Sequence, residues 1–312
     1  MTSEPVVLAT PPAAAPADED GYVARKRGFW FWAAVVWLVF IVLCMLFSQW
    51  FPGLAEPRER VGSPRIGPGA DYLFGTNNSG HSVFARCLHG ARISIGVAVI
   101  ATFGGIVMGG TVGLISGYYR RGIDTTLSSL VNVMLAIPGL VLALALVGFF
   151  APTGGFDDQR FLFFTVSPNT NATIWATIAL AILSTPSISR VARAQTLVWS
   201  DRDFVLASRT LGARNLRIII RDVLPNVLPA MLSFALIGVA ALIVVQAALA
   251  FFGIGDVTAT SWGGDINFGR NELDSEPHMV FFPSLFMFLT VLSLNYLSDK
   301  FIELNAVKEA GV

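Results

Sequence analysis

Charged residues are scarce in this sequence: 13% of its 312 residues are Asp, Glu, Lys or Arg, whereas 54% are hydrophobic and the mean hydropathy is +0.64. Two cysteines and three histidines are too few for a disulfide scaffold or a zinc cluster. Such a composition excludes an ordinary water-soluble domain. It predicts an all-α, polytopic membrane protein.

Motifs for catalysis and for nucleotide binding are missing as well. The sequence contains no GxxxxGK[ST] loop, no HExxH pair and no nucleophile elbow. We therefore expect no catalytic residue, no metal site and no cofactor bound by the chain itself. If the protein moves a substrate uphill, another subunit must supply the energy.

Six apolar segments are long enough to cross a bilayer core of about 30 Å. They cover residues 29–51, 93–117, 125–150, 171–189, 227–252 and 280–297. The basic triplet Arg25-Lys26-Arg27 precedes the first segment, and such residues stay on the cytoplasmic side. The pattern predicts six transmembrane helices with both termini in the cytoplasm, and Pro138 predicts a kink in the third.

These segments divide the chain into five parts, and the first is short of large apolar side chains, which predicts disorder. In order they are a disordered cytoplasmic tail at 1–28, the first span at 29–51, an extracytoplasmic segment at 52–90, a five-helix core at 91–303 that includes a cytoplasmic coupling region at 199–226, and a cytoplasmic tail at 304–312.

Asp, Glu, Lys, Arg and His are absent from all six predicted span cores. A charged group inside the membrane usually marks a proton relay or an ion pathway, so the absence disfavours a secondary carrier. Three neutral polar residues stand out in the spans: Asn132, Gln246 and Asn295. Interhelical hydrogen bonding explains such residues, and lining of a translocation path is the alternative.

Four glycines repeat at four-residue spacing in the second span: Gly105, Gly109, Gly113 and Gly117. Small residues on one face of a helix let a second helix approach closely. We therefore expect this face to be a helix-packing surface.

A long polar interruption between the fourth and fifth spans, residues 204–225, contains Arg209, Arg214, Arg217 and Arg221. Its pattern predicts a short helix, a break at Gly212 and a second amphipathic helix that ends at Leu224-Pro225. The last three arginines share one predicted face, and the opposite face is apolar: Ile218, Ile219 and Val223. Charge alone leaves two interpretations, a loop on anionic lipid or a docking site for a cytosolic partner.

The same segment resembles the cytoplasmic coupling motif of ATP-binding-cassette importer permeases, in which EAA and a glycine precede a closing Leu-Pro. Ala207 and Ser208 stand at the alanine positions, Gly212 at the glycine and Leu224-Pro225 at the end. The sequence departs from the motif at Leu206, which replaces the glutamate, and at Asp222, which stands where a histidine is common.

An earlier stretch is similar to the signature GTDxxGRDxxSRxxxGxRxS of the oligopeptide/dipeptide permease branch, second permease subunit type. The matching residues are Gly75, Thr76, Gly80, Arg86, Gly90, Arg92 and Ser94. Asn77, His81 and Ser82 replace charged residues of the signature, and Gln246 stands where the branch often has Glu.

The resemblance implies a type I importer permease core in the bacterial inner or plasma membrane. It implies four kinds of partner: a homologous second permease, two cytosolic ATPase domains that bind ATP and Mg²⁺, an extracytoplasmic substrate-binding protein, and membrane lipid, with no nucleic acid. The residues it implies for coupling to the ATPase are Ala207, Ser208, Arg209, Gly212, Arg214, Leu224 and Pro225.

Di- or oligopeptides are the cargo that the resemblance implies. Metal chelates, haem and short glycosides are carried by related transporters and stay open. A non-transporting membrane sensor or scaffold, and a secondary carrier or channel, are the alternatives from other functional classes.

Overall fold

The computed structural model describes residues 28–48, 54, 56–150, 160–161, 164–165, 168–254 and 260–310. The predicted disordered tail therefore lies outside the described residues, apart from Gly28. In chain order the helices are α1 (Phe29–Phe47), α2 (Val83–Tyr119), α3 (Arg121–Ala136), α4 (Gly139–Phe150), α5 (Pro168–Trp199), α6 (Asp203–Thr210), α7 (Asn215–Ile218), α8 (Leu224–Phe251), α9 (Trp262–Gly269) and α10 (His278–Ala310). A π-helical turn (Ile219–Val223) joins α7 to α8, and a 3₁₀ turn (Arg270–Glu272) follows α9.

Helices account for nearly all of the described secondary structure, as expected for an all-α protein. The exception is an antiparallel pair of two-residue strands between α4 and α5, β1 (Arg160–Phe161) and β2 (Phe164–Thr165). Five helical segments in the described chain are long and apolar enough to span a membrane: α1, α2, α5, the continuous stretch Asn215–Phe251, and α10. With α3 and α4 taken together as a sixth, the predicted number of spans is confirmed.

The third span is broken rather than kinked. The helix α3 ends at Ala136 and α4 begins at Gly139, and their axes differ by 94°. Ile137 adopts the extended conformation (φ −86°, ψ 129°) because the ring of Pro138 disfavours the helical conformation in the residue before it. The expected kink over residues 125–150 thus lies at Pro138 as predicted, but it is a complete interruption of the helix.

Two helix boundaries also differ from the predicted ones. The helix α2 begins at Val83, ahead of the predicted start at Ile93, because the Ser82 side chain caps it by accepting a hydrogen bond from the Ala85 backbone N–H. The predicted outer loop between the fifth and sixth spans contains α9, which Ser261 caps in the same way. Local capping chemistry extends helices beyond the apolar runs that define the spans.

The glycine stripe of α2 faces α5, and these two helices pack extensively. A Cβ atom on Gly109 would lie 2.5 Å from the carbonyl oxygen of Thr185, and one on Gly113 would lie 2.5 Å from that of Ser189. At Gly105 and Gly117, an added Cβ would overlap side chains of α5 in the same way. The four glycines thus allow a close helix approach that any larger residue would prevent.

On the side that the predicted topology assigns to the exterior, residues 56–82, α9, the 3₁₀ turn and the adjoining ends of α2 and α10 form one unit, the outer cap. Arg86 of α2 donates to the Asp265 carboxylate of α9 and, at 3.0 Å, to the Pro57 carbonyl. The Asp265 side chain is buried, and the Arg86 side chain is 15% exposed. Burial raises the pKa of Asp265, and the nearby Arg86 charge acts in the opposite direction.

Trp262 is the apolar centre of the outer cap. Its side chain is fully buried and its indole N–H donates to the Cys87 carbonyl at 2.8 Å. Gly90 leaves room for this indole, since a Cβ there would lie 3.1 Å from the ring. The Ser94 hydroxyl accepts the Trp262 backbone N–H at 3.1 Å. Two residues of the sequence signature, Gly90 and Ser94, are therefore explained by the seating of one tryptophan.

The turn in front of α2 explains further signature residues. Gly75 has φ +74°, and a Cβ there would lie 2.4 Å from the Ile66 carbonyl oxygen. The Thr76 hydroxyl accepts the Ile66 backbone N–H and donates to the Ser63 carbonyl. Asn77, which replaces an acidic residue, accepts backbone hydrogen bonds from two residues of the same turn through its side-chain oxygen. The turn thus retains its shape without that acidic residue.

Candidate functional site

The first helix of the cytoplasmic segment, residues 204–225, ends in a glycine-centred cap. The backbone N–H of Gly212 donates to the Arg209 carbonyl at 3.0 Å, and that of Ala213 donates to the Ser208 carbonyl at 3.1 Å. This pair of bonds defines a Schellman motif, which requires a left-handed residue after the helix. Gly212 has φ +78°. The predicted break is confirmed, and its cause is conformational because a Cβ on Gly212 would contact nothing within 4 Å.

One face of the segment is anchored in the protein. Val205, Ile218, Ile219 and Val223 are buried in an apolar cluster together with residues of α2, α5 and α8. The predicted apolar counter-face is thus the face that packs on the membrane helices. A movement of this segment should therefore displace the ends of those helices.

Tyr118, near the end of α2, fixes the segment further. Its hydroxyl donates to the Asn215 side-chain oxygen at 3.1 Å, and the Arg209 guanidinium lies over its ring at 5.0 Å. One aromatic side chain thus contacts residues on both sides of the Gly212 turn. This arrangement ties the turn to the helix that carries the glycine stripe.

The opposite face of the segment is open and combines apolar and basic side chains. Leu211 is 87% exposed and Leu216 is 66% exposed. Ile220 is also exposed, next to Arg214, Arg217 and Arg221, and these side chains border an open groove of about 440 Å³. Apolar surface this exposed on the aqueous side of a membrane protein is typical of an interaction site.

The end of the segment differs from the prediction. Leu224-Pro225 does not stop the second helix, because Pro225 lies in the first turn of α8, directly after a π-helical turn. The π-helical turn just before it closes with the Leu224 N–H donating to the Ile219 carbonyl. The segment therefore runs into α8 as one continuous helical element.

The residues assigned to ATPase coupling by resemblance lie along this element in two groups. Ala207, Arg209, Gly212, Arg214 and Pro225 are exposed. Ser208 and Leu224 are half-buried. Leu206, at the glutamate position of the motif, is 47% exposed, so an apolar side chain is presented where the motif has a charge.

A polar cluster that the sequence did not reveal joins three helices near this segment. The Asp124 carboxylate of α3 accepts two hydrogen bonds from Arg193 of α5, at 2.6 and 2.7 Å. It also accepts from Ser116 of α2 and Ser128 of α3. Asp124 and Ser128 are one helical turn apart, but nothing in the sequence pairs them with α5.

The three polar residues of the predicted translocation path are not brought together. Asn132 accepts a hydrogen bond from Arg190 at 2.9 Å, beside the polar cluster. Gln246 is buried near the outer end of α8, and Asn295 is half-buried on α10. They therefore do not form one site within this chain.

The described residues contain no group of three His, Cys, Asp or Glu side chains able to hold a metal ion.

Comparison with known proteins adds the family. Residues 109–306 match the binding-protein-dependent transport system inner membrane component. The dipeptide transport system permease protein DppC of Alkalihalophilus pseudofirmus is 32% identical, over 94% of this chain and 93% of the relative. The glutathione transport system permease protein GsiD of Escherichia coli O6:K15:H31 is 30% identical, over 85% and 82%.

A solved structure with a similar fold is the MetNI methionine ABC transporter in an inward-facing conformation. The TM-score is 0.54 at 19% identity, over 70% of this chain and 96% of that one. At this identity the similarity concerns the fold. The family match and the two relatives show that this chain belongs to the binding-protein-dependent transport system inner membrane components, the transporter permeases of the bacterial cell membrane.

Proposed function

We propose that this protein is one of two permease subunits of an ATP-driven importer that moves short peptides into the cytoplasm. Its partners are a homologous permease, two cytosolic ATPase domains and an extracytoplasmic binding protein. ATP and Mg²⁺ are bound by the ATPase domains, and this chain binds no cofactor of its own.

The observation that carries the proposal is the two-faced cytoplasmic segment. Its inner face is packed on α2, α5 and α8, and its outer face presents Leu211, Leu216 and Ile220 beside three exposed arginines. An element of this kind can receive force on one side and pass it to the membrane helices on the other. A loop that only rests on lipid does not need the rigid Schellman turn or the anchor at Tyr118.

In this mechanism ATP binding draws the two ATPase domains together, and each domain carries the segment seated on it. The segments of the two permeases approach each other, and the attached helices tilt so that the pathway opens outward. This is rigid-body alternating access, biased by a ligand that binds one state better than the other.

Each of the coupling residues has a role in this arrangement. Gly212 sets the angle between α6 and α7 through its left-handed conformation. Arg209 and Arg214 flank the turn, and Ala207 and Ser208 provide a small surface that a partner can approach closely. Leu224 and Pro225 join the segment to α8 without a loop. With Leu206 in place of a glutamate, shape and apolar contact hold the ATPase at this position.

Peptides are the proposed cargo because two relatives that cover most of the chain are named for dipeptide and glutathione transport. The cargo of a binding-protein-dependent system also depends on the binding protein. Metal chelates, haem and glycosides are therefore the alternative cargoes to include in a transport assay.

The direct test is uptake of a labelled tripeptide into liposomes that hold the complete transporter with ATP inside and binding protein outside. We expect uptake that needs the binding protein and is blocked by vanadate. Uptake that persists with vanadate but stops when the proton gradient is collapsed would identify a carrier instead. Absence of any uptake, with ATPases and a second permease still co-purifying, would favour a sensor or scaffold.

Gly212→Val is the sharpest single change for this proposal. Valine is strained at φ +78°, and its Cβ would meet no atom within 4 Å at this position. We expect transport to be abolished while assembly with the partner subunits persists, as judged by co-purification. Uptake at the wild-type rate would contradict the role of the turn.

A further inference from the structure

A polar groove of about 420 Å³ lies between α3 and α5. From α3 it is lined by Ser128 and Asn132, which are one helical turn apart, and from α5 by Arg190 and Arg193. Its volume lies within the usual range for small-ligand sites, roughly 300–1,000 Å³. The groove therefore has room for a small ligand or for the head of a larger one.

The charges of the two arginines in this groove are balanced differently. Arg193 is paired with the Asp124 carboxylate through two hydrogen bonds, at 2.6 and 2.7 Å. Arg190 donates to the uncharged side chain of Asn132 at 2.9 Å, and none of the described residues that line the groove is acidic. The groove thus carries the positive charge of Arg190 without a counter-charge, and it favours an anion.

The guanidinium of Arg190 is accessible from the groove. Its partner Asn132 lines the same groove, so the hydrogen bond between them holds the guanidinium at the groove wall. Both residues are exposed, and no other described residue accepts a hydrogen bond from Arg190. A guanidinium presents five N–H donors in a planar fork that matches the oxygens of a carboxylate or a phosphate. Most of these donors are therefore available to an oxyanion.

The position of the groove in the membrane indicates which oxyanion it receives. Arg190 directly follows the predicted fourth span, residues 171–189, at the cytoplasmic end, which is the level of the inner lipid headgroups. Deeper in the membrane, Leu130 and Val133 flank two lining residues of α3 and are exposed. Basic pockets between membrane helices on this side typically bind lipid headgroups. A phosphate with attached acyl chains matches both the charge and the apolar surface.

We propose that this groove binds an anionic phospholipid of the cytoplasmic leaflet, with Arg190 as the ligand of its phosphate and the acyl chains along α3. Asp124 and Arg193 are positioning residues, because their ion pair holds α3 next to α5. A lipid bound here connects the same two helices and stabilises their arrangement. The inference goes beyond peptide import and does not depend on which cargo is carried.

The test measures the binding of phosphatidylglycerol and of phosphatidylcholine to the full chain by native mass spectrometry. The protein is purified in a mild non-ionic detergent together with its associated subunits. Both lipids contain a phosphate, but only phosphatidylglycerol carries a net negative charge. We expect Arg190→Gln to lower the affinity for phosphatidylglycerol at least about ten-fold, the size of a charge-assisted hydrogen bond. The affinity for phosphatidylcholine should not change. Unaltered phosphatidylglycerol binding would overturn the proposal.

Arg121→Gln is the matched control at the start of α3. It removes the same charge on the same side of the membrane, and Arg121 is exposed but does not line the groove. We expect this variant to bind phosphatidylglycerol as the wild type does. An equal decrease in both variants would show a general attraction of anionic lipid to basic residues and would also overturn the proposal.

A second variant covers the case in which Arg190→Gln does not fold. Asn132→Asp keeps the shape of the side chain and places a carboxylate within hydrogen-bond distance of Arg190. This internal counter-charge should replace the lipid phosphate, so the affinity for phosphatidylglycerol should again fall at least about ten-fold. Wild-type affinity in this variant would contradict the role of Arg190.

Two competitors identify the source of the anion. Trialanine offers a peptide carboxylate, and glycerol 3-phosphate offers a phosphate without acyl chains. Neither should displace phosphatidylglycerol when present at the same concentration as the lipid. Displacement by trialanine would make the groove part of the cargo path, and displacement by glycerol 3-phosphate would make it a site for a soluble anion. Either result would overturn the assignment to lipid.

Stability provides a second measurement of the same site. A ligand that binds only the folded state raises the unfolding temperature. Replacing phosphatidylcholine by phosphatidylglycerol in mixed micelles should therefore raise the unfolding temperature of the wild type and of Arg121→Gln, but not that of Arg190→Gln. An equal rise in all three proteins would contradict a specific site in this groove.

Discussion

The outer cap and the cytoplasmic segment are built in opposite ways. In the outer cap, buried side chains pair with one another inside the chain: Arg86 binds one carboxylate oxygen of Asp265, and Trp262 donates to the Cys87 carbonyl and the Ser94 hydroxyl. In the cytoplasmic segment only the inner face is matched, and Leu211 and Leu216 project from the outer face. We infer that the cap is a rigid structural unit, whereas the segment is one side of an interface with another protein.

The largest effect we expect is from Arg86→Met in the outer cap. The change leaves the buried Asp265 carboxylate without its counter-charge, which costs about 3–5 kcal/mol of unfolding free energy. Arg65→Met is the matched control, since the Arg65 side chain is 53% exposed in its ion pair with Glu272 and should cost no more than about 1 kcal/mol. Equal decreases in the free energy of unfolding for the two variants, measured by reversible unfolding in mixed micelles, would contradict this difference between the buried and the exposed ion pair.

A second pair of variants contrasts the glycines of the two regions. A Cβ on Gly263 would lie 2.4 Å from the Ala247 carbonyl oxygen, so Gly263→Ala should cost about 1–3 kcal/mol of stability. Gly263→Asn should be worse, because the larger side chain meets the same backbone. These losses would appear in the same unfolding measurement.

At Gly212, in contrast to Gly263, an asparagine should be tolerated. This residue has free space around it and only a left-handed conformation to maintain, which asparagine tolerates better than other side chains. Gly212→Asn should therefore retain most of the uptake that Gly212→Val loses. If asparagine and valine at this position are equally inactive, backbone conformation is not what the glycine supplies.

Leu216→Ala tests the open face with little effect on the fold. The side chain is 66% exposed, so the unfolding free energy should change by less than about 0.5 kcal/mol. Uptake should fall and ATP hydrolysis should become less dependent on loaded binding protein, since contact with the ATPase is weakened. Unaltered uptake in a correctly folded variant would argue against docking at this position.

The smallest effect concerns the pH dependence of the outer cap. Burial lowers the pKa of His81, and the charges of Arg86 and Arg60 act in the same direction. A pKa that is lower in the folded protein means that protonation opposes folding. Stability should therefore be complete above the ordinary histidine pKa of about 6.5 and decrease as the pH falls below it. His81→Gln should flatten this decrease between pH 7.5 and 5, measured by unfolding.

Much of the architecture follows from the sequence because its causes are local. Apolar length predicts the spans, the glycine spacing predicts a packing face, and Gly212 predicts the turn. Arg214, Arg217 and Arg221 are exposed as their spacing requires. In each case the residues that determine the feature lie within one helix or one turn.

The features that escaped prediction depend on residues far apart in the chain. Arg86 and Asp265 are separated by 179 positions, and Asp124 and Arg193 by 69. No single-chain pattern identifies such partners before the helices are placed side by side. The 94° break at Pro138 is similar: proline predicts that a helix bends, but the packing of α4 against α5 sets the direction.

Thiol labelling of Leu211→Cys tests the central claim most directly, which is that the open face of residues 204–225 receives a cytosolic ATPase. The two native cysteines, Cys44 and Cys87, are buried, whereas position 211 is 87% exposed. A membrane-impermeant maleimide should label this variant rapidly from the cytoplasmic side, and bound ATPase should slow the reaction at least about ten-fold. The control is Leu73→Cys in the outer cap. This variant should react from the outside, at a rate that the ATPase does not change. Equal labelling of position 211 with and without the ATPase, or labelling from the outside, would contradict the account.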